Sequence, residues 1–206
     1  MNYMIKKILV PSDHSESALN ALDTGIDMAR SNNAIIQLLH VAEPGDHQVM
    51  EKEKRAQDIY DAMAGSIFQR YGVKTEIIFA AGNPGTVIVR AAYEKKPDVI
   101  VMGAQGTSEK AHAVGSNVYF VVRHAKSPVL IIPKEAQWHN FKNILYPVRP
   151  DHGGAMQFDR VRNILSKNGR QCSFEILTIL AKKQSDDAAL ISRVATELEN
   201  QATGEE

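Results

Sequence analysis

The chain has 206 residues, of which 24 are Lys or Arg and 24 are Asp or Glu, and 44% are hydrophobic. The balance also holds locally: residues 1–133 carry 14 basic and 14 acidic side chains, and residues 134–206 carry 10 of each. This argues against the basic stripe of a nucleic-acid reader and the basic face of a membrane-surface helix, and no apolar run approaches the ~20 residues that span a bilayer. A single cysteine, Cys172, allows no internal disulfide and suits a reducing compartment. The start MNYMIKKILVPSD has no apolar core followed by a small-residue cleavage site, so no signal peptide is read. A cytoplasmic protein without nucleic-acid or membrane partners is the expectation.

Short apolar runs alternate with helical patterns. Ile8-Leu9-Val10 predicts a strand halted by Pro11, and Ser12, Asp13 and Ser15 offer N-cap oxygens to the helix that follows. Ala18, Leu22, Ile26 and Ala29 form one face of that helix, which ends at Ser31-Asn32-Asn33. Residues 35–41 predict the second strand. A long amphipathic helix over 47–71 carries the stripe Ala56, Ile59, Met63 and Ile67, and residues 75–80 predict the third strand. Gly82-Asn83-Pro84-Gly85 opens a helix to about Lys95, with Pro84 near its first turn. Residues 97–102 read as the near-continuous apolar strand that burial on both faces requires. A glycine-containing loop spans 103–114, a helix runs from Gly115-Ser116 to Lys126, and residues 127–133 form the fifth strand. This alternation predicts an α/β fold, a doubly wound parallel five-stranded sheet with helices on both faces. Ligands of such folds bind beyond the C-terminal strand ends at a topological switch point.

The pattern then restarts. Lys142-Asn143-Ile144-Leu145-Tyr146-Pro147 echoes Lys6-Lys7-Ile8-Leu9-Val10-Pro11, and residues 172–179 echo 34–41. Between them a helix is predicted over 156–167, with Phe158, Val161 and Leu165 on one face, and a last amphipathic stretch follows Gln184. The expected organisation is one domain over 1–133, a linker over 134–141 that holds Trp138, and an incomplete second copy of β-α-β-α over 142–206. Two strands with two helices cannot cover both faces and both edges of a sheet, so this part is expected to complete itself by association.

The loop after the fourth strand reads Gly103-Ala104-Gln105-Gly106, eight residues, then Gly115-Ser116-Asn117. Glycines let a backbone approach a phosphate closely, and a helix N-terminus aims free N–H groups and a positive dipole end at it. The pattern is neither the Walker nor the Rossmann fingerprint, and glycines after a strand also serve simply to turn the chain. Asp13 could equally cap the first helix. The seven histidines include no ligand-spaced pair, so no metal centre is expected. Ser12-Asp13-His14 is adjacency rather than a catalytic triad, and no catalytic residue is assigned. Cys172 lies in an apolar strand and reads as a small core residue.

Residues 4–133 resemble the universal stress protein family. The likeness lies in the start Ile8-Leu9-Val10-Pro11-Ser12-Asp13, the second-strand Leu38-Leu39-His40-Val41, the fourth-strand run from Pro97 to Gly103, and the ending from Val121 to Pro133. Residues 142–180 resemble the start of a second such domain, as in tandem members. The resemblance implies an adenine nucleotide alpha hydrolase-like sheet and, in ATP-binding members, a pattern Gly-x2-Gly-x9-Gly-Ser/Thr. It implies that Pro11, Ser12, Asp13 and Val41 line a nucleoside pocket. It likewise implies that Met102, Gly103, Gly106, Gly115, Ser116 and Asn117 hold the ribose and phosphates of ATP, with Mg2+ as a possible companion. This chain departs from the pattern in its eight-residue spacer, 107–114, and in Glu109-Lys110 where the family carries a glycine and a hydrophobic residue. A stress-response regulator that binds ATP and forms a homodimer is the leading expectation. The alternative is a nucleotide-free dimerising scaffold with a degenerate phosphate loop.

Overall fold

The computed structural model describes residues 4–42, 49–105, 114–134, 143–148 and 173–178, with Val161 and Thr196 as single positions. The chain divides into two compact units, one over 5–138 and the other over 139–206 with 1–4. In the first unit the elements are β1 (Lys7–Ser12), α1 (Glu16–Asn32), β2 (Ile35–Ala42), α2 (Val49–Tyr71), β3 (Thr75–Ala81), α3 (Pro84–Lys95), β4 (Val99–Gly103), α4 (Ser116–His124) and β5 (Val129–Ile132). Its five strands form one parallel sheet in the order β3-β2-β1-β4-β5. The order reverses between β1 and β4, which opens a crevice at their C-terminal ends.

Side-chain caps start two of the helices. The Ser15 hydroxyl accepts from the Ala18 N–H at 3.3 Å and begins α1, and Asn83 accepts from the Thr86 N–H at 3.2 Å and begins α3, with Pro84 in its first turn. Left-handed residues close both, Asn33 at φ 51° and Lys96 at φ 50°. At the opposite end of the sheet the Asp98 carboxylate accepts from the Lys6 and Lys7 N–H groups at 2.7 and 2.9 Å, which fastens the entry of β4 to that of β1.

Strand alternation sorts the core into two faces. Leu9, Leu39, Ile100 and Met102 pack with Ile88, Ala91 and Ala92 of α3 and Val118 and Val121 of α4. Ile8 and Val10 point the other way, where Gly25 lets α1 approach them: a Cβ there would stand 3.0 Å from Val10. Pro11 does not halt the first strand, contrary to the sequence expectation. The Lys7 carbonyl accepts from Asp98 and so faces β4, which by alternation puts the Pro11 nitrogen on that side too. The ladder to β4 ends at Leu9, whereas pairing to β2 continues through Pro11 and Ser12. The missing donor therefore falls on the side where the ladder to β4 has already ended, and it leaves the pairing to β2 intact.

The second unit holds β6 (Asn143–Val148) and β7 (Ser173–Thr178), paired in parallel from Asn143↔Ser173 to Val148↔Thr178. The helix expected over 156–167 lies outside the described residues except for Val161, which is helical. The linker beyond Lys134, with Trp138, the final stretch apart from Thr196, and Cys172 lie outside them as well.

Gly103 is the tightest point of the first unit. A Cβ added there would lie 2.6 Å from the Ser17 carbonyl carbon and 2.8 Å from its oxygen, backbone atoms of α1 that cannot swing away. Gly103→Ala is therefore expected to destabilise the protein by about 2 kcal/mol or more. Gly65, exposed in α2 with nothing within 4 Å of its missing Cβ, is expected to behave oppositely. There alanine should stabilise by about 0.5–1 kcal/mol through helix propensity. Urea unfolding of the two variants checks both signs.

Candidate functional site

A cleft of about 260 Å3 lies at the switch point, over the C-terminal ends of β1, β2 and β4. From β1 and its loop come Pro11, Ser12 and Asp13, and from β2 comes Val41. Met102 and Gly103 end β4 beside it, and Gly115, Ser116 and Asn117 open α4 onto it. Nine of the ten residues expected from the sequence thus meet in one place. The tenth, Gly106, lies outside the described residues, as do Glu109, Lys110 and His112.

Seven further lining residues escaped sequence reading: Ser15, Ala18, Leu39, Pro84, Ile88, Gln105 and Val118. Leu39 was within reach, because it sits two residues before Val41 and period-two alternation puts both on one face. Pro84 and Ile88 come from α3, whose packing over this end of the sheet is a tertiary fact that no local pattern encodes.

The walls differ in chemistry. Leu39, Val41, Ile88 and Val118 make an apolar side suited to a flat aromatic base. The Asp13 carboxylate supplies a charged acceptor, and its Oδ1 already receives the Ser15 N–H at 3.0 Å, which sets the side chain at the head of α1. Ser15, not Asp13, is the cap of α1. Opposite stands the start of α4. Gly115 is its N-cap and brings no side-chain hydrogen bond, unlike the caps of α1 and α3. The first-turn N–H groups and the positive dipole end of α4 therefore open on the cleft. Asp13 is the only charged side chain among the described lining residues. An anion there would be held by backbone donors rather than by a basic patch.

Gly103 and Ser17 join the two walls. The close approach permitted by Gly103 brings the Ser17 hydroxyl to donate to the Gln105 carbonyl, which ties α1 to the loop that leads away from β4. Beneath Ser12, on the far side of the sheet, Tyr60 is fully buried and donates its hydroxyl to the Ser12 carbonyl at 3.0 Å. Burial raises the Tyr60 phenol above its ordinary value and lowers the half-buried His40 imidazole below its own. Among the described residues no group of three or more His, Cys, Asp or Glu side chains could hold a metal ion, and no helix is long and apolar enough to cross a membrane.

The universal stress protein family matches residues 4–133. Universal stress protein Sll1654 of Synechocystis is 31% identical over 137 residues, which cover 63% of this chain and 87% of that protein. Universal stress protein MJ0531 of Methanocaldococcus jannaschii is 28% identical over 142 residues, covering 64% of this chain and 84% of its own length. Among solved structures, universal stress protein UspA from Lactobacillus plantarum superimposes with a TM-score of 0.57 at 26% identity, covering 64% of this chain and 99% of its own. The universal stress protein from Archaeoglobus fulgidus in complex with dAMP shares the fold, with a TM-score of 0.50 at 24% identity over 64% of this chain and 99% of that one. With the family matched across the whole five-stranded unit, the chain belongs to the universal stress protein family.

Proposed function

We propose that the switch-point cleft binds an adenine nucleotide, ATP or a close relative, and that the protein acts as a stress-response regulator by binding rather than by turnover. The observation that carries this is the convergence of Pro11, Ser12, Asp13, Val41, Met102, Gly103, Gly115, Ser116 and Asn117 on one cleft with an apolar wall facing a helix N-terminus. The base would lie against Val41 and Leu39, a ribose hydroxyl would donate to Asp13, and the phosphates would meet the N–H groups of α4 and the Ser116 hydroxyl. Any Mg2+ would arrive on the phosphates. Turnover would need a positioned base or nucleophile, and the Asp13 carboxylate is engaged by the Ser15 N–H.

Residues 142–206 we assign to a second copy of the first half of this fold. The pairing registers support it: Lys7↔Ile35 in β1·β2 and Asn143↔Ser173 in β6·β7 fall at the positions that the sequence echo equates. By that equivalence Leu145 and Leu177 stand for Leu9 and Leu39, which α3 and α4 cover in the first unit. Leu9 and Leu39 are 0% exposed, whereas Leu145 is 57% and Leu177 47% exposed. Parallel sheets are covered on both faces, so we assign a homodimer in which this apolar face meets its copy.

Titration calorimetry with ATP tests the site. Asp13→Asn keeps the acceptor for the Ser15 N–H and should weaken binding by roughly tenfold, the worth of one charge-assisted hydrogen bond. Gly115→Val should weaken it comparably, since an added Cβ stands at an ordinary 3.5 Å from the Ala104 carbonyl oxygen and the side chain would cover the phosphate donors. Equal affinity of the wild type and both variants would overturn the assignment. Light scattering tests the assembly: the wild type should have the mass of a dimer and the double variant Leu145→Lys, Leu177→Lys that of a monomer, and an unchanged mass would refute the role given to this face.

A further inference from the structure

The residues on either side of one peptide bond in the β1–α1 loop face opposite sides of the sheet. Asp13 lines the cleft, while the His14 ring packs on Tyr60 with centroids 4.8 Å apart. His14 achieves this by adopting φ 61°, a left-handed conformation uncommon for a residue with a side chain, and its N–H reaches back to the Ser12 hydroxyl at 3.4 Å. His40 of β2 and Phe79 of β3 are register partners and complete the cluster, with His40 5.1 Å and Phe79 5.5 Å from the Tyr60 ring.

The hydrogen bonds in this cluster have a fixed direction. Tyr60 has one phenolic proton, and it goes to the Ser12 carbonyl. The His40 Nδ1 lies 3.1 Å from the same phenolic oxygen and must therefore donate, so the bonding pattern assigns His40 the tautomer protonated at Nδ1. The chain of donors runs from His40 to Tyr60 to the carbonyl of Ser12, the residue directly before Asp13.

We propose that Tyr60 and His40 are positioning residues for the nucleotide cleft: from the opposite face of the sheet they fix the Ser12 carbonyl, and with His14 they set the direction in which Asp13 enters the cleft. The inference rests on the nucleotide reading of that cleft and adds a control over it. Acidification should loosen the setting. Among the described residues, the titratable groups facing His40 are Asp13 and His14 from the loop and Tyr60 from α2, and β3 brings the uncharged Phe79. Burial holds His40 below its ordinary 6.5; the Ser12 hydrogen bond opposes this, a charge on His14 adds to it, and Asp13 opposes it. Once His40 is protonated, a cation stands in the cluster with its ring centroid 6.0 Å from that of His14 and draws the Asp13 carboxylate toward it. The unfolded chain binds the His40 proton near 6.5 and the folded chain binds it lower, so stability falls as pH drops through that window.

The test uses the full chain with AMP as probe. Backbone amide resonances of Asp13 and His14 are followed in the free protein, and AMP affinity is measured between pH 7.5 and 5. Tyr60→Phe keeps the ring and removes the donor; it should shift both amides and weaken AMP by about fivefold, the worth of one hydrogen bond. His14→Gly keeps the left-handed backbone without strain and removes the ring packed on Tyr60, so it should shift the Asp13 amide and weaken AMP while the fall of affinity with acid through His40 persists. Unmoved amides in Tyr60→Phe would overturn the positioning role. Moved amides with unchanged AMP affinity would overturn its link to the cleft. Wild-type protein that fails to bind AMP or ATP would instead overturn the nucleotide reading, and the free-protein amides would still decide whether Tyr60 sets the loop.

Discussion

The reversal of strand order between β1 and β4 is the constraint on which the site depends. A parallel strand must be followed by a crossover, and right-handed crossovers put α1 and α2 on one face and α3 and α4 on the other once the order reverses. The chain leaving β1 and the chain leaving β4 then part in opposite directions and leave a crevice that no main-chain segment among the described residues fills. Every described residue of the candidate site lies on that crevice or on the α3–α4 side of the sheet next to it.

A crevice becomes a site only if its walls are held at fixed separation. Here small residues and short polar ties do so. Gly103 brings the end of β4 against Ser17 of α1, and the Ser17 hydroxyl fastens the Gln105 carbonyl. At the far end of the first unit the Lys134 ammonium pairs with Glu16 at 2.9 Å and the Asn20 amide donates to the Lys134 carbonyl at 2.5 Å, so the chain leaving β5 is also secured to α1. The Glu16 pair is exposed and contributes little to stability. The backbone approach at Gly103 has no such substitute, because any side chain there meets main-chain atoms. The Ser12 carbonyl is held from the other face by Tyr60, so both banks of the crevice are supported from beneath.

Much of this was legible in the residues. Apolar runs of strand length alternating with helical stripes gave the five strands and four helices of the first unit, because burial on both faces of a parallel sheet forces such runs. Ser12, Asp13 and Ser15 together announced α1, because a side-chain oxygen before an apolar stripe satisfies orphan N–H groups, and Pro84 announced the first turn of α3; that Ser15 and Asn83 make the caps is set by the folded backbone. Pro11 misled, since the effect of a missing donor depends on which neighbour the nitrogen faces, and that is set by strand pairing. The site residues at strand ends could be named from their positions in the chain and from family resemblance. The apolar wall from α3 and the cluster of His14, His40, Tyr60 and Phe79 could not, because the ring partners in that cluster are 19 to 46 residues apart and nothing local marks the contact.

The most direct measurement is an amide chemical-shift map of the full chain titrated with ATP. Perturbations should concentrate at Ser12 to Ser15, Val41, Gly103 to Gln105 and Ser116 to Val118, the two banks of the crevice, and leave β6 and β7 unmoved. A map without perturbation at Asp13 and Ser116 at saturating ATP, or one confined to β6 and β7, would contradict the account.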